Sequence, residues 1–348
     1  MIWILTAITV IAVLFFLMLL LGFLGLNVAF GRRCEGNPDI KYYTAEDYDD
    51  LEALPVAFRS DKGQTLRGAV YTCRDTKPTA LVIFAHGMGG GHLSYTTDIR
   101  TIAKAGFAVL AYDNTGTMAS DGKALGSFYQ AVKDLRAALE FAGRDERLSS
   151  YKIVLAGHSW GGYTVCQALA FAEERVKGVV AFSPPESIPG IMCDSMRQML
   201  GIPMGWMRPA VWIASVIQGG WRSRRRCSSV LLKTGSVPIM ILHGDADTSV
   251  SLNNSPLSCS AVTEKENITA ILYEGKAHNV YQTKESEKYL METFAAIGET
   301  QKRYGKKGIP EEEKARLYGS IDYELIVRED GEVMKTVTDF IRNCVNRS

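Results

Sequence analysis

The chain of 348 residues is 22% charged and 47% hydrophobic, and 39 Lys and Arg against 38 Asp and Glu leave a formal net charge of +1. That is length enough for one large core, and so even a balance of charge offers nucleic acid no electrostatic footprint. The seven cysteines, at positions 34, 73, 166, 193, 227, 259 and 344, are odd in number and show no CxxC or metal spacing. They read as reduced thiols, with Cys166 a small core residue.

The first element is a run from Ile2 to Phe30 without a charged side chain. As a helix it would extend roughly 43 Å, and about 20 residues suffice to cross the hydrocarbon core of a bilayer. A secretory signal peptide would need a basic start, a short apolar core and a small-residue cleavage site. Nothing basic precedes this run, and it ends in Gly31-Arg32-Arg33-Cys34. Residues 1–33 are therefore expected to be a retained single-pass transmembrane anchor. Arg32 and Arg33 flank only its C-terminal end, so the positive-inside bias puts the rest of the chain in the cytoplasm, in keeping with reduced thiols. The Asn-x-Ser/Thr sequons at Asn253, Asn267 and Asn346 would matter only in the opposite orientation.

A polar linker is expected over 34–54, and the remainder, 55–348, reads as one domain. "PVAFRS" and "LRGAVYTC" look like paired strands, and "ALVIFAHG" and "FAVLAYD" like buried ones, with a helical stretch near Tyr95–Ala105 between them. Val132, Leu135, Ala138, Leu139 and Ala142 share one helical face. The strand "KIVLAG", a helix from about Gly161, and the strands "GVVAFSP", "VPIMILHG" and "ITAILYEG" follow. Strands alternating with helices argue for a parallel sheet covered on both faces. A final helix near Glu332–Val345 carries its apolar residues at helical spacing. Two stretches break the alternation: a Trp-, Met- and Arg-rich segment over 185–236 and a highly charged one over 299–330, read as a solvated helical excursion.

Gly157-His158-Ser159-Trp160-Gly161 lies where "KIVLA" gives way to a helix, and it matches the G-x-S-x-G nucleophile elbow. A serine hydroxyl is a poor nucleophile at neutral pH and needs a base, which in turn needs an orienting carboxylate. Five histidines make elimination practicable. His86 and His243 end strands, and the side chain of His158 should point away from its neighbour Ser159. His92 in a glycine-rich loop is an alternative, while His278, on the loop after the last apolar strand, is the expected base. Asp247 is the expected acid, with Asp245 nearer the strand end and suited to turn hydrogen bonds. "AHGMGGGH" supplies a glycine-rich loop, so the amides of Met88 and Trp160 are the expected oxyanion donors. That loop lacks the phosphate-binding patterns G-x-G-x-x-G and G-x-x-x-x-G-K-[ST], and no metal or other cofactor is implied.

In this order, "HGMGGG", "GHSWGG", "HGDADTSV" and "AHN" resemble the α/β-hydrolase superfamily, most closely its monoglyceride-lipase, lysophospholipase and serine-aminopeptidase-like branch. The resemblance covers residues ~55–345 and implies Ser159 as nucleophile, Asp247 as acid and His278 as base. It departs at "YDNTGTMASDG", where Thr115 stands at a usual arginine and Met118 at a usual glycine. It also implies that 185–236 is a lid, whose Trp206 and Trp212 would line the substrate site. Arg222, Arg224, Arg225 and Arg226 would face an anionic membrane. The expected activity is hydrolysis of an ester, an acyl lipid or lysolipid presented at the membrane. A thioesterase, amidase, peptidase or acyltransferase would use the same residues, and the competing class is a binding protein that has lost turnover.

Overall fold

Short apolar runs bounded by glycine and polar turns form eight strands, and the computed structural model, which describes residues 1–224, 228–305 and 308–347, joins them in a single sheet. β1 (Leu51–Arg59) and β2 (Thr65–Cys73) are the antiparallel opening pair. β3 (Leu81–Ala85), β4 (Ala108–Tyr112), β5 (Ile153–His158), β6 (Val176–Phe182), β7 (Ile239–Gly244) and β8 (Ile268–Tyr273) complete the order β1-β2-β4-β3-β5-β6-β7-β8. β4 is antiparallel to β2, and from β4 to β8 every neighbouring pair is parallel.

The helices, in chain order, are α1 (Ile2–Phe30), α2 (Thr96–Lys104), α3 (Gln130–Arg144), α4 (Trp160–Ala168), α5 (Ile188–Leu200), α6 (Arg208–Gly219) and α7 (Ser228–Thr234). After them come α8 (Ser260–Thr263), α9 (Lys284–Tyr304), α10 (Glu311–Gly319), α11 (Tyr323–Ile326) and α12 (Gly331–Asn346). Side chains alternate across a strand, so β3 feeds two cores at once. Val82 and Phe84 pack with Ile99 and Ile102 of α2 and Val337 and Ile341 of α12. Leu81 and Ile83 pack on the other face with Leu135 of α3, Val165 of α4 and Leu232 of α7. The expected parallel sheet with helices on both faces is the observed one.

The N-terminal apolar helix α1 is long and apolar enough to cross a membrane by length and composition. Its last third, however, is docked on the domain. Gly22, Leu26 and Phe30, one helical stripe at i, i+4 and i+8, are buried. Gly22 lies against the backbone of Ala210 and Val211 in α6, while Phe30 stands 5.7 Å from Phe128 and 6.2 Å from Trp160, ring centre to ring centre. Residues 2–17 are exposed, and the stretch from Ile2 to Leu21 is about 30 Å long. The expected linker also ends earlier than residue 54, because β1 begins at Leu51. Within 185–236, Ala210, Val211 and Ala214 of α6 turn inward. Arg222 is exposed, whereas Arg225, Arg226 and the side chain of Arg224 lie outside the described residues.

Candidate active site

At the junction of β5 and α4, Ser159 has φ +55° and ψ −114°, a backbone region that side-chain-bearing residues rarely adopt. The two glycines of the pentapeptide make this turn fit. A Cβ on Gly161 would overlap the carbonyl oxygen of Ala85 in β3, and one on Gly157 would come within 2.5 Å of the carbonyl oxygen of Gly161. The turn therefore needs both positions bare. It ends in the first turn of α4, whose leading N–H groups have no partner inside the helix and whose dipole favours negative charge.

His278 lies on the loop after β8, and its Nδ1 is 2.8 Å from Oδ2 of Asp247. Asp247 is itself fixed, since its Oδ1 accepts the backbone N–H groups of Ser249 and Val250, both at 2.8 Å. Its Oδ2 is also 3.3 Å from Nε2 of His243. A carboxylate that only accepts makes Nδ1 of His278 the protonated nitrogen, which leaves Nε2 as the basic one. Asp245 does otherwise: its Oδ1 accepts the N–H of Gly275 at 2.6 Å, a turn contact. His92 is bound to Asp113, Nδ1 to Oδ1 at 2.7 Å, and is buried. His86 Nε2 accepts the N–H of Asn114 at 2.9 Å, so its other nitrogen donates to the carbonyl of Gly87.

Ser159, His278 and Met88 line one cavity of about 740 Å³. Trp160 takes its place at the start of α4, with its indole buried and Nε1 donating to the carbonyl of Phe128 at 2.7 Å. Its indole is therefore no part of the cavity wall, and its backbone follows directly on Ser159. Ser159 and His278 thus share one cavity at the C-terminal edge of the parallel strands, which is where ligands bind in open α/β sheets.

Comparison with known proteins agrees with this fold. A serine aminopeptidase (S33) family model matches residues 76–233. An esterase of Pyrococcus furiosus superposes with a TM-score of 0.56 at 20% identity, over 78% of this chain and 98% of that one. An esterase of Pyrobaculum calidifontis gives 0.52 at 16% identity, over 84% and 86%. Est1E of Butyrivibrio proteoclasticus, solved with ferulic acid bound, gives 0.50 at 19%, over 70% and 98%.

The chain has the α/β-hydrolase fold.

In this α/β-hydrolase fold the supports of the site include residues that the motifs leave unspecified. His158 is buried, and burial holds its imidazole well below the ordinary histidine range. Its Nε2 lies 3.1 Å from the carbonyl oxygen of His278, and its Nδ1 lies 2.8 Å from Oη of Tyr95. A carbonyl only accepts, so Nε2 must carry the proton and Nδ1 must accept the Tyr95 hydroxyl. Tyr95 Oη in turn accepts the N–H of Gly87, in the glycine-rich loop, at 3.0 Å. Ser183, held at φ +46° after β6, donates its hydroxyl to the same His278 carbonyl at 2.7 Å. One continuous run of hydrogen bonds thus joins the glycine-rich loop to the backbone of His278. The strand-end position of Ser183 is the only sequence signal that could have marked it.

Arg33, directly after α1, was expected only as a topology signal. Its guanidinium reaches the carbonyls of Met118 at 2.6 Å, Gly122 at 2.7 Å and Ser120 at 2.8 Å. It therefore holds the loop in which Thr115 and Met118 depart from the family pattern. Thr115 is used elsewhere, donating its hydroxyl to Oδ1 of Asp134 at 2.9 Å.

Trp206 and Trp212 lie away from the cavity. Trp206 is half-exposed with Nε1 on the carbonyl of Pro203, and Trp212 belongs to α6, the helix that packs along α1. The walls come instead from residues 33–43 after α1, from the glycine-rich loop, and from α9 and the end of α11. The charged 299–330 stretch thus continues a helix that walls the site.

Proposed function

We propose that this α/β hydrolase is a membrane-anchored serine hydrolase that cleaves an ester of an acyl lipid or lysolipid through an acyl-enzyme on Ser159. The observation that carries the reading is the 2.8 Å contact of His278 Nδ1 with Asp247, on a histidine that shares its cavity with a strained serine. Ser159 Oγ attacks the ester carbonyl carbon while its proton passes to Nε2 of His278. The Met88 and Trp160 amides stabilise the oxyanion. The carbon–oxygen bond to the alcohol then breaks, and the alcohol leaves with the proton from His278. Water repeats the sequence on the acyl-enzyme, with His278 as base, and releases the acid. The amides of such an oxyanion hole typically contribute about 2.7–4 kcal/mol per donor.

An apolar helix ending against the active-site helix favours a substrate that lives in the bilayer. Arg32 and Arg33 after that helix support a cytoplasmic body through the positive-inside bias. An aminopeptidase would need an unpaired carboxylate to hold the substrate's ammonium group. The carboxylate lining the cavity is Glu35, which is bound to Arg33 at 2.5 Å. A fluorophosphonate probe tests the reading: it should label the full-length protein, and Ser159→Ala should abolish the label. A folded wild type that takes no label would falsify it.

A further inference from the structure

The positions of α9 that face the cavity are Leu290, Phe294, Ile297, Gly298 and Gln301, spaced i, i+4, i+7, i+8 and i+11. That spacing is one stripe of a helix. The rest of α9 is strongly polar, with Glu285, Lys288, Glu292, Glu299 and Lys302 on its other faces. An apolar stripe on such a helix needs an apolar partner, and along this stretch it faces the space that opens on Ser159. Burial is graded along it: Ile297 is buried, Leu290 intermediate and Phe294 half-exposed. Ile326 and Val327, at the end of α11, add to the same wall.

The opposite wall is the segment that follows α1. It carries the cavity's charged residues Arg33, Glu35 and Lys41, all of them engaged. Arg33 is bound to Glu35, and Lys41 lies 2.8 Å from Asp47. This segment is also held to α10, with Asn37 Nδ2 at 3.3 Å from Oη of Tyr318 and Lys314 at 3.8 Å from Asp39. The cavity thus has an apolar stripe from α9, a polar stretch whose charges are paired, and Ser159 in its lining. A volume of about 740 Å³ is within the range of roughly 300–1,000 Å³ for one small-molecule ligand.

We infer that this cavity is a single-chain pocket: the acyl group of the substrate is one unbranched aliphatic chain lying along Leu290, Phe294 and Ile297. The inference rests on Ser159 being the nucleophile and adds the substrate class. It makes the α9–α11 excursion, and not the 185–236 segment, the element that sets chain length.

The test compares p-nitrophenyl acetate with p-nitrophenyl decanoate on the full-length protein in one detergent, read as the ratio of kcat/KM for the two esters. The ratio is internal to each variant, so a partial loss of folded protein cancels. Phe294→Trp and Leu290→Trp fill the pocket and are expected to lower the decanoate-to-acetate ratio at least tenfold. Trp206→Ala and Trp212→Ala are expected to keep it within twofold of wild type. An unchanged ratio in both α9 variants overturns the inference, and so does a tenfold change carried by Trp206 or Trp212. Both of those results leave the serine reading standing. A wild type that hydrolyses neither ester and takes no fluorophosphonate removes that reading and the inference with it.

Discussion

The imidazole of His158 and the backbone carbonyl of His278 are joined by a hydrogen bond of 3.1 Å, so the residue before Ser159 holds the loop that carries His278. Because Tyr95 and Ser183 complete the same network, His158 is a positioning residue. Its contacts are with the His278 backbone and Tyr95, so it acts through the aim of His278. His158→Ala leaves the carbonyl with Ser183 alone and is expected to lower kcat by about 10–100-fold with KM little changed, as misplacement of a catalytic group does. His158→Gln, whose amide can reach the same carbonyl, should recover most of the loss. A purely structural role would instead show as a lower Tm in both variants with kcat per folded molecule unchanged.

Gly161 has a different task. Its Cα faces the Ala85 carbonyl so closely that any Cβ there must push β3 and α4 apart. Overpacking of a tight core typically costs about 1–3 kcal/mol and at times more, and here the obstacle is backbone that cannot rotate away. Gly161→Ala is expected to destabilise the protein by about 3 kcal/mol or more, read by denaturant or thermal unfolding. An alanine variant within 0.5 kcal/mol of wild type would show that the strand and helix can separate at no cost.

These two residues mark what could be read in the sequence and what could not. The pentapeptide around Ser159 was legible because its demands are local: a strand, a sharp turn, a helix and two positions without room for a side chain. The parallel strands were legible for a similar reason, since short apolar runs, four of them ending in glycine, have few alternatives in an α/β chain. Two features were not. Gly22, Leu26 and Phe30 form a docking stripe, but in a helix apolar on all sides a stripe that meets protein has the same composition as one that meets lipid. Leu290, Phe294 and Ile297 sit among charges, and only tertiary contact reveals that their face closes the cavity. The tryptophans of the 185–236 segment attracted the substrate site by composition alone, whereas the chain brings α6 of that segment to α1.

The docking of α1 predicts where the chain can be shortened. Deleting residues 1–17 removes only exposed apolar surface and should leave a folded domain of unchanged Tm that no longer sediments with membranes. Deleting residues 1–33 also removes Leu26 and Phe30, which are 1% and 0% exposed, and uncovers Phe128 and Trp160. Complete burial of such side chains contributes about 1.5–3 kcal/mol each, and the Arg33 contacts go with them. The shorter protein should therefore melt markedly lower and aggregate. Equal melting of the two truncations would mean that α1 is a tether and no part of the core.

A last prediction concerns the buried carboxyl pair beneath α2. Asp98 and Glu329 are each left with one oxygen, Oδ1 and Oε1, that meets no donor, while the other oxygen of Glu329 accepts the hydroxyl of Thr101 at 2.5 Å. Two such oxygens are both satisfied if one proton lies between the carboxyls. Burial and then the charge of Glu329 raise Asp98 well above the ordinary carboxylate range, and burial raises Glu329 as well. The native state therefore keeps a proton that the unfolded chain releases above about pH 3.9. Stability from this site is present below that pH and is lost as pH rises toward the native pKa, by at most about 1.4 kcal/mol per pH unit for each proton held. Asp98→Asn keeps the shape and supplies a permanent donor to Glu329, so it abolishes this dependence. The stability of the variant relative to wild type should rise as pH increases above 5 until the native pair loses its proton, measured by urea unfolding at each pH up to 8. A difference that is flat over that range would show that Asp98 is already ionised in the native protein and that the pair shares no proton.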